Sequence, residues 1–233
     1  MRGQQGRVIE ALGEAIVSGR FAPGTLLPRE SELMSEQEVS RTSIREAMKV
    51  LAAKGLVEIR QKTGTRVRPL DLWNLFDADV LRWHLRQGRG ESILRDLIEL
   101  RQVIEPAAAR MAAGRADFDD LQRIDQAVRS MQDGVRNLDA YLRADVAFHM
   151  AVFGASHNLL FARLSHLVAD FLEISFHLQQ QALNEEDNRI QDDVDGHRLV
   201  FEAIRRGDGN AAAERMLEVV LNGKSSLYRA LGP

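Results

Sequence analysis

The segment from residue 27 to residue 69 constrains the fold of this chain more than any other stretch. Apolar residues recur at helical spacing on both sides of a tight turn, and two short alternating runs follow at 56–60 and 65–68. Ser40 can cap the second of the two helices, and the alternating runs suit a two-stranded hairpin. A further amphipathic helix is expected near the N-terminus. Three helices and a hairpin predict a winged helix-turn-helix domain over residues 1–69.

The start of the second helix in this pair carries side chains that suit contact with DNA. Hydroxyl groups and arginines in the first turn of a helix can reach phosphates and base edges in a major groove. The same pattern also fits an ordinary capped helix with a charged face, because helix-turn-helix folds occur in domains that bind no DNA. The residues alone leave both interpretations open. They are Ser40, Arg41, Thr42, Ser43 and Arg45.

One pattern, apolar residues every three or four positions, runs through the rest of the chain. No segment after residue 90 alternates as a strand does, so we predict a mostly α protein with an all-α antiparallel bundle of six or seven helices over residues 91–233. Residues 70–90 are predicted to form a linker helix that Trp73 and Trp83 dock onto this bundle. The segments with helical spacing are 91–114, 117–134, 138–156, 158–183, 187–206 and 209–231.

Charge is distributed unevenly between the two parts of the chain. Residues 1–70 hold 12 Lys and Arg against 8 Asp and Glu, a balance of +4, and the remaining residues hold 19 against 26, a balance of −7. This asymmetry suits a protein that contacts a polyanion through its first domain. The absence of cysteine excludes disulfides, thiolate metal sites and cysteine nucleophiles. With no leader pattern or long apolar run, we expect a cytoplasmic protein without a membrane partner.

Asp145 and His149 are the strongest metal-ligand candidates that spacing alone provides. Four residues apart on a helix, their side chains project from one face. A carboxylate and an imidazole in this arrangement suit a divalent ion such as zinc, nickel or manganese. On the residues alone, a solvated or capped helix face is the simpler explanation, because such pairs occur frequently by accident.

The motifs LPRESEL, VSRTSIREAMKVLAAKGLV and GTRV resemble the DNA-binding domain of the GntR family of bacterial transcription regulators, over about residues 7–69. The body resembles the FCD effector domain of the FadR-type subfamily in ELRQVIEPAAARMAA (99–113), DVAFHMAVFGASHN (145–158) and GHRLVFEAIRRGD (196–208). The phrase WNLFDADVLRWHL is similar to repressors of sugar-acid catabolism. The resemblance implies a dimeric repressor of a catabolic operon, which binds a palindromic operator in double-stranded DNA and is released by a small carboxylate effector such as a sugar acid.

Carried over by position, the resemblance implies DNA contacts in the recognition helix, in the preceding helix and at the hairpin tip. Ser31 stands where the family often has an arginine, Glu38 where it has a turn glycine, and Lys62 at a common glycine of the hairpin. These departures bear on local geometry and operator sequence. The implied contact residues are Arg29, Ser40, Arg41, Thr42, Ser43, Arg45, Gln61, Lys62 and Gly64.

In the body, the resemblance adds His197 to Asp145 and His149, as ligands of one divalent ion and as effector contacts. Val219 stands where a further histidine ligand is expected; His166 and His177 are possible substitutes. With no metal, the same three residues could hydrogen-bond a sugar acid directly.

Arg101 is the candidate to clamp an effector carboxylate through a bidentate pair. The alternative for Arg101 is a surface ion pair with a neighbour such as Glu105. Two other functions stay open at this point. One is a metal-dependent hydrolase using the Asp145, His149 and His197 cluster, and the other is a DNA-binding protein that needs no effector.

Overall fold

The computed structural model describes residues 3–60, 63–86, 90–180 and 189–231. The chain divides into two compact units, Met1–Leu94 and Arg95–Pro233. Its elements, in order, are α1 (Gln4–Val17), α2 (Glu30–Gln37), α3 (Arg41–Ala53), β1 (Val57–Arg60), β2 (Gly64–Val67), a 3-10 turn (Leu70–Leu72), α4 (Ala78–Arg86), α5 (Gly90–Arg115), α6 (Phe118–Gly134), α7 (Leu138–Ala155), α8 (Leu159–Gln180), α9 (Arg189–Arg205) and α10 (Gly209–Leu231). The predicted mostly α class is confirmed, with one small sheet among the described residues.

The first unit has the predicted winged helix-turn-helix architecture. Helix α3 begins where predicted, because the Ser40 side chain accepts a hydrogen bond from the backbone N–H of Ser43. Its inward stripe is buried with the apolar face of α1 in one core. Strands β1 and β2 pair antiparallel, with Val57 opposite Val67. The segment before α2 pairs with β2 through an isolated bridge, Leu26 opposite Arg66, and the N–H of Leu27 donates to the carbonyl of Thr65 at 2.8 Å.

Glu38 closes the turn between α2 and α3 in the left-handed conformation. Its φ of 52° and ψ of 47° fall in the region that glycine adopts without steric cost. Its N–H donates to the carbonyl of Met34 and so ends α2. Glu38 therefore keeps the turn that a glycine would form at this position, but its backbone is strained.

Replacing Glu38 with glycine is expected to raise the free energy of unfolding of the first unit by a few tenths to about 1 kcal/mol. The relief of strain is partly offset because glycine gains more freedom in the unfolded chain. Urea unfolding of the full chain, followed by circular dichroism, measures the change. Gln37→Gly, one residue earlier and inside α2, is the matched control and should destabilise by about 0.5–1 kcal/mol. If the Glu38→Gly protein is less stable than its parent, the conclusion that Glu38 is held in a strained conformation is wrong.

The linker segment belongs to the core of the first unit. Trp83 of α4 is 0% exposed and Trp73 is 8% exposed, and both lie in the cluster formed by α1, α3 and the hairpin. A Cβ at Gly13 would lie 2.4 Å from the Trp83 ring, so only glycine leaves room for it on α1. Lys54 adds a half-buried ion pair with Asp77 at 2.7 Å. The prediction that the two tryptophans dock the linker helix onto the bundle was wrong.

The second unit is helical throughout its described residues. Helices α5 to α10 match the six segments predicted from apolar spacing to within a few residues, and short polar connections join most of them. Asp117 caps α6 and Asn137 caps α7, each accepting a backbone N–H of the first turn. None of the described helices combines the length and apolarity needed to cross a membrane.

Candidate DNA-contact surface and buried ligand site

The first turns of α3 present an exposed face. The side chains of Arg41 and Arg45, one turn apart, are 63% and 59% exposed, and Thr42 beside them is exposed as well. Ser40 and Ser43 are engaged in the helix cap, where their hydroxyl oxygens lie 3.0 Å apart. The cap therefore orients the start of the helix, while the two arginines and the threonine can reach a ligand in solvent.

Glu30 of α2 lies against both arginines, which the sequence did not indicate. Its carboxylate accepts from Arg45 Nε at 3.0 and 3.1 Å and lies 4.0 Å from Arg41 Nε. Ion pairs this exposed contribute little to stability. The pairing therefore matters for geometry: it holds the two guanidinium groups near one another, and it does not use the Nη groups of Arg45.

The remaining predicted DNA contacts lie in α2 and at the hairpin tip. Arg29 is exposed at the N-cap of α2, where its backbone N–H donates to Glu32 at 2.7 Å. Gly64 is exposed and begins β2 with φ 94°. Gln61 and Lys62 lie outside the described residues.

Three side chains from two helices converge inside the second unit. Helix α7 carries Asp145 and His149, and α9 carries His197. Asp145 Oδ1 lies 3.1 Å from His197 Nε2 and 3.6 Å from His149 Nε2, and the two Nε2 atoms lie 3.4 Å apart. Because both histidines are buried, the alternative of a solvated helix face is wrong. Two ring nitrogens and a carboxylate oxygen this close could hold one divalent ion.

A buried carboxylate, Glu105 of α5, joins this cluster to Arg101. Glu105 is 0% exposed; one of its oxygens contacts Arg101 Nε, and the other lies 2.5 Å from His149 Nδ1 in an ion pair rather than a well-aligned hydrogen bond. The Arg101 guanidinium also lies over the Phe171 ring, 4.9 Å from its centre. Arg101 therefore does pair with Glu105, as the alternative interpretation predicted. The pair is buried and does not lie on the surface, since Arg101 is only 5% exposed.

His197 is oriented from the other side of the cluster by Asp193. Its Nδ1 lies 2.7 Å from the Asp193 carbonyl oxygen, to which it can donate, and Tyr141 donates its hydroxyl to the Asp193 carboxylate. Sequence reasoning missed Tyr141 and Asp193. The available signal was spacing, because Tyr141 lies four residues before Asp145 and Asp193 lies four residues before His197.

The charges of this cluster compensate one another in a buried setting. Burial alone would raise the pKa of Glu105, but the charges of Arg101 and His149 outweigh it and lower that pKa to about 2. Burial would lower the pKa of His149, yet the charge of Glu105 and the hydrogen bond to Asp145 raise it to about 9. The pKa of Asp145 is lowered against its burial by hydrogen bonds and charge from both histidines. The cluster is therefore a set of buried charged groups in pairs.

Val219 is buried near the cluster. It is 5% exposed, and a Cβ added at Gly196 would lie 3.4 Å from its Cγ2, so α10 places an apolar group beside the residue that precedes His197. Of the two substitutes considered, His166 is exposed. The side chain of His177 lies outside the described residues.

A second group of ligand-type side chains, Asp117, Asp120 and His157, serves a structural role. Asp117 and Asp120 cap the start of α6 reciprocally, with each backbone N–H donating to the other's carboxylate. His157 Nε2 lies 2.7 Å from Asp120, and Arg123 donates to the same side chain. These contacts join the end of α7 to the start of α6.

Two family profiles match the chain in the order in which the structure places its units. Residues 4–67 match the bacterial regulatory proteins of the gntR family, and residues 96–222 match the FCD domain. The second match alone covers more than half of the chain.

Relatives match along most of their length. The galactonate operon transcriptional repressor of Escherichia coli is 35% identical over 92% of each chain. The HTH-type transcriptional repressor NanR of Escherichia coli is 30% identical over 97% of this chain and 84% of its own. Among solved structures, a GntR protein of Streptococcus agalactiae covers 95% of this chain and 99% of its own at 26% identity and a TM-score of 0.53. McbR/YncC of Escherichia coli matches over 100% of both chains at 16% identity and a TM-score of 0.58, a likeness of fold.

Proposed function

Because the chain belongs to the gntR family of bacterial regulatory proteins and carries an FCD domain, we propose that it is a dimeric repressor released from its operator by a small carboxylate. It is a DNA-binding transcription regulator and not an enzyme. The observation that carries the finer proposal is the buried convergence of Asp145, His149 and His197, in a chain whose first unit is a winged helix-turn-helix.

The DNA-contact proposal assigns α3 to the major groove and the hairpin to the backbone beside it. Arg41, Thr42 and Arg45 supply the exposed contacts, and Ser40 and Ser43 fix the start of the helix. Arg29 and the hairpin tip from Gln61 to Gly64 supply flanking contacts to phosphate. Two such units in a dimer read the half-sites of a palindrome. Because the proposed operator is chromosomal DNA, the proposed site of action is the cytoplasm.

The proposed ligand of the second unit is a sugar acid, with or without one divalent ion. A relative acts on the galactonate operon, which names such an acid. Its carboxylate suits the Arg101 guanidinium, which Phe171 and Glu105 hold in place. Its remaining oxygens suit either a metal ion or direct hydrogen bonds from His149 and His197.

The residues present fit a metal ion. Each histidine has its Nδ1 engaged, by Glu105 or by the Asp193 carbonyl, so both rings turn Nε2 toward Asp145. Metal-binding histidines are commonly held in this way by partners of the other ring nitrogen. Asp145, His149 and His197 would hold zinc, nickel or manganese, and the ion would supply coordination positions for ligand oxygens. With Val219 in place of a fourth protein ligand, water or the effector would take the remaining positions.

The effector releases DNA only to the extent that it binds the DNA-free arrangement of the dimer more tightly than the DNA-bound one. A ligand that prefers the released form by a factor of about 100 therefore supplies roughly 2.7 kcal/mol against operator binding.

A titration tests the proposal directly. A high-affinity duplex is selected from a random-sequence pool with the purified chain, and its binding is followed by fluorescence anisotropy. Galactonate and related aldonic acids are then added, with and without Zn²⁺, Ni²⁺ or Mn²⁺. We expect at least one acid to weaken binding tenfold or more, and the neutral parent sugars to have no effect. Operator binding that no acid alters would refute sugar-acid control and favour a regulator that needs no effector.

A further inference from the structure

We propose that Glu105 is a positioning residue that fixes the orientation of both the Arg101 guanidinium and the His149 ring. One carboxylate would then orient the group that binds the effector carboxylate and the ring that faces the metal or the effector oxygens. The inference rests on the proposed function of this site. It assigns a role to a residue that the sequence offered only as the surface partner of Arg101.

Burial makes the two contacts of Glu105 obligatory. A carboxylate that is 0% exposed has given up its hydration, and that loss is strongly unfavourable unless charged partners replace the water. Arg101 and His149 are those partners, one on each oxygen. Since each oxygen is committed to a different side chain, removal of the charge disturbs both at once.

The contact with His149 determines which ring nitrogen faces the ligand. An unprotonated Nδ1 would set a lone pair against a carboxylate oxygen at 2.5 Å, so the proton belongs on Nδ1. The Nε2 atom then faces Asp145 Oδ1 and His197 Nε2, at 3.6 and 3.4 Å. His197 reaches the same presentation through Asp193, whose carbonyl oxygen and carboxylate lie 2.7 and 3.3 Å from its Nδ1, so Glu105 is the side chain that sets the His149 ring.

The contact with Arg101 orients the other half of the site. Glu105 pairs with Nε, and this pairing does not use the two terminal Nη groups that form the fork of the guanidinium. The Phe171 ring packs against the face of the same group. The fork is thereby held at a fixed angle, as bidentate recognition of a planar carboxylate requires.

Glu105→Gln separates this role from simple packing, because glutamine keeps the volume but can accept at only one of its two heads. If its oxygen stays on Arg101, its NH₂ group faces the Nδ1–H of His149, donor against donor, and the ring must turn or give up the Nδ1 proton. Binding of Zn²⁺ by isothermal titration should weaken about 10- to 100-fold. Glu99→Gln, which removes an exposed carboxylate from the same helix, should bind as the parent does.

A second measurement reads the ring itself and needs no metal. In the full chain labelled with ¹⁵N-histidine, the Nδ1–H of His149 should be protected from exchange in the parent and lost in Glu105→Gln, with circular dichroism unchanged. A parent whose His149 Nδ1 carries no proton overturns the proposal even if the variant fails to fold. So does a folded Glu105→Gln that keeps the Nδ1–H signal and binds Zn²⁺ within twofold of the parent. If the parent binds no metal at all, the metal clause of the proposed function fails, and the Nδ1–H signal still decides the role of Glu105.

Discussion

Asp145→Asn is expected to remove the response to effector and metal while leaving operator affinity in the absence of ligand within about twofold of the parent. Asp145 is the carboxylate on which both histidine Nε2 atoms converge, and it is the one member of the three that is partly exposed. Loss of a residue that merely supports a metal ligand costs about 10- to 100-fold in affinity, so loss of a ligand should cost at least as much. The recognition helix lies in the other compact unit, so its own contacts are not altered.

The comparison uses the same anisotropy titration on parent and variant, with the acid that releases the parent. Asp139→Asn is the matched control, because Asp139 is an exposed carboxylate in the first turn of the same helix. We expect the control to be released at the parental concentration and Asp145→Asn to stay bound at 100 times that concentration. A variant released as readily as the parent would show that the effector site lies elsewhere.

The sequence predicted this site in part because helical spacing carries much of it. Asp145 and His149 share a helix, and four-residue spacing puts them on one face regardless of the rest of the fold. His197 came from resemblance, because no spacing relates residues on different helices. The role of Glu105 in the site was not predicted, because an arginine and a glutamate four residues apart usually form a solvated ion pair on a helix surface. The pair is buried because α5 packs against α7, and that tertiary contact cannot be read from the spacing of two residues on one helix.

The linker shows the same division between local and tertiary information. Its apolar spacing predicted a helix, and α4 is there. The surface that α4 covers depends on where the Trp83 ring can pack. The space for that ring is left by Gly13 of α1, about seventy residues earlier in the chain. A lone glycine inside a helical pattern is an ambiguous signal, so the direction of docking could not be read from the sequence.

Arg41→Ala and Arg45→Ala are each expected to weaken operator binding by about 1–3 kcal/mol, or about 5- to 150-fold, with the second unit and its effector response unchanged. Both side chains are exposed on the first turns of α3, and Glu30 holds them near one another. Truncation removes a charged contact and leaves the buried face of the helix intact. Anisotropy titration with the selected operator measures the loss.

Arg129→Ala is the matched control, since Arg129 is an exposed arginine of α6, 71% exposed and paired with Asp125 on its own helix. The same change of net charge there should leave operator affinity within about twofold. If both recognition-helix variants bind as the parent does, α3 is not the reading helix.

Salt and sequence dependence then separate the two kinds of contact. An arginine on a phosphate should weaken binding equally on all duplexes and reduce the slope of log K against log salt by about 1. An arginine on a base edge should instead relax the preference at one position of each half-site. Arg45 has both of its Nε contacts on the Glu30 carboxylate, whereas Arg41 only approaches that carboxylate at 4.0 Å. Glu30 therefore orients Arg45 more tightly, and a guanidinium with a fixed orientation is the one suited to bidentate pairing with guanine. We accordingly expect Arg45→Ala to relax base preference and Arg41→Ala to reduce the salt slope. The reverse result would show that Glu30 does not orient Arg45 toward a base.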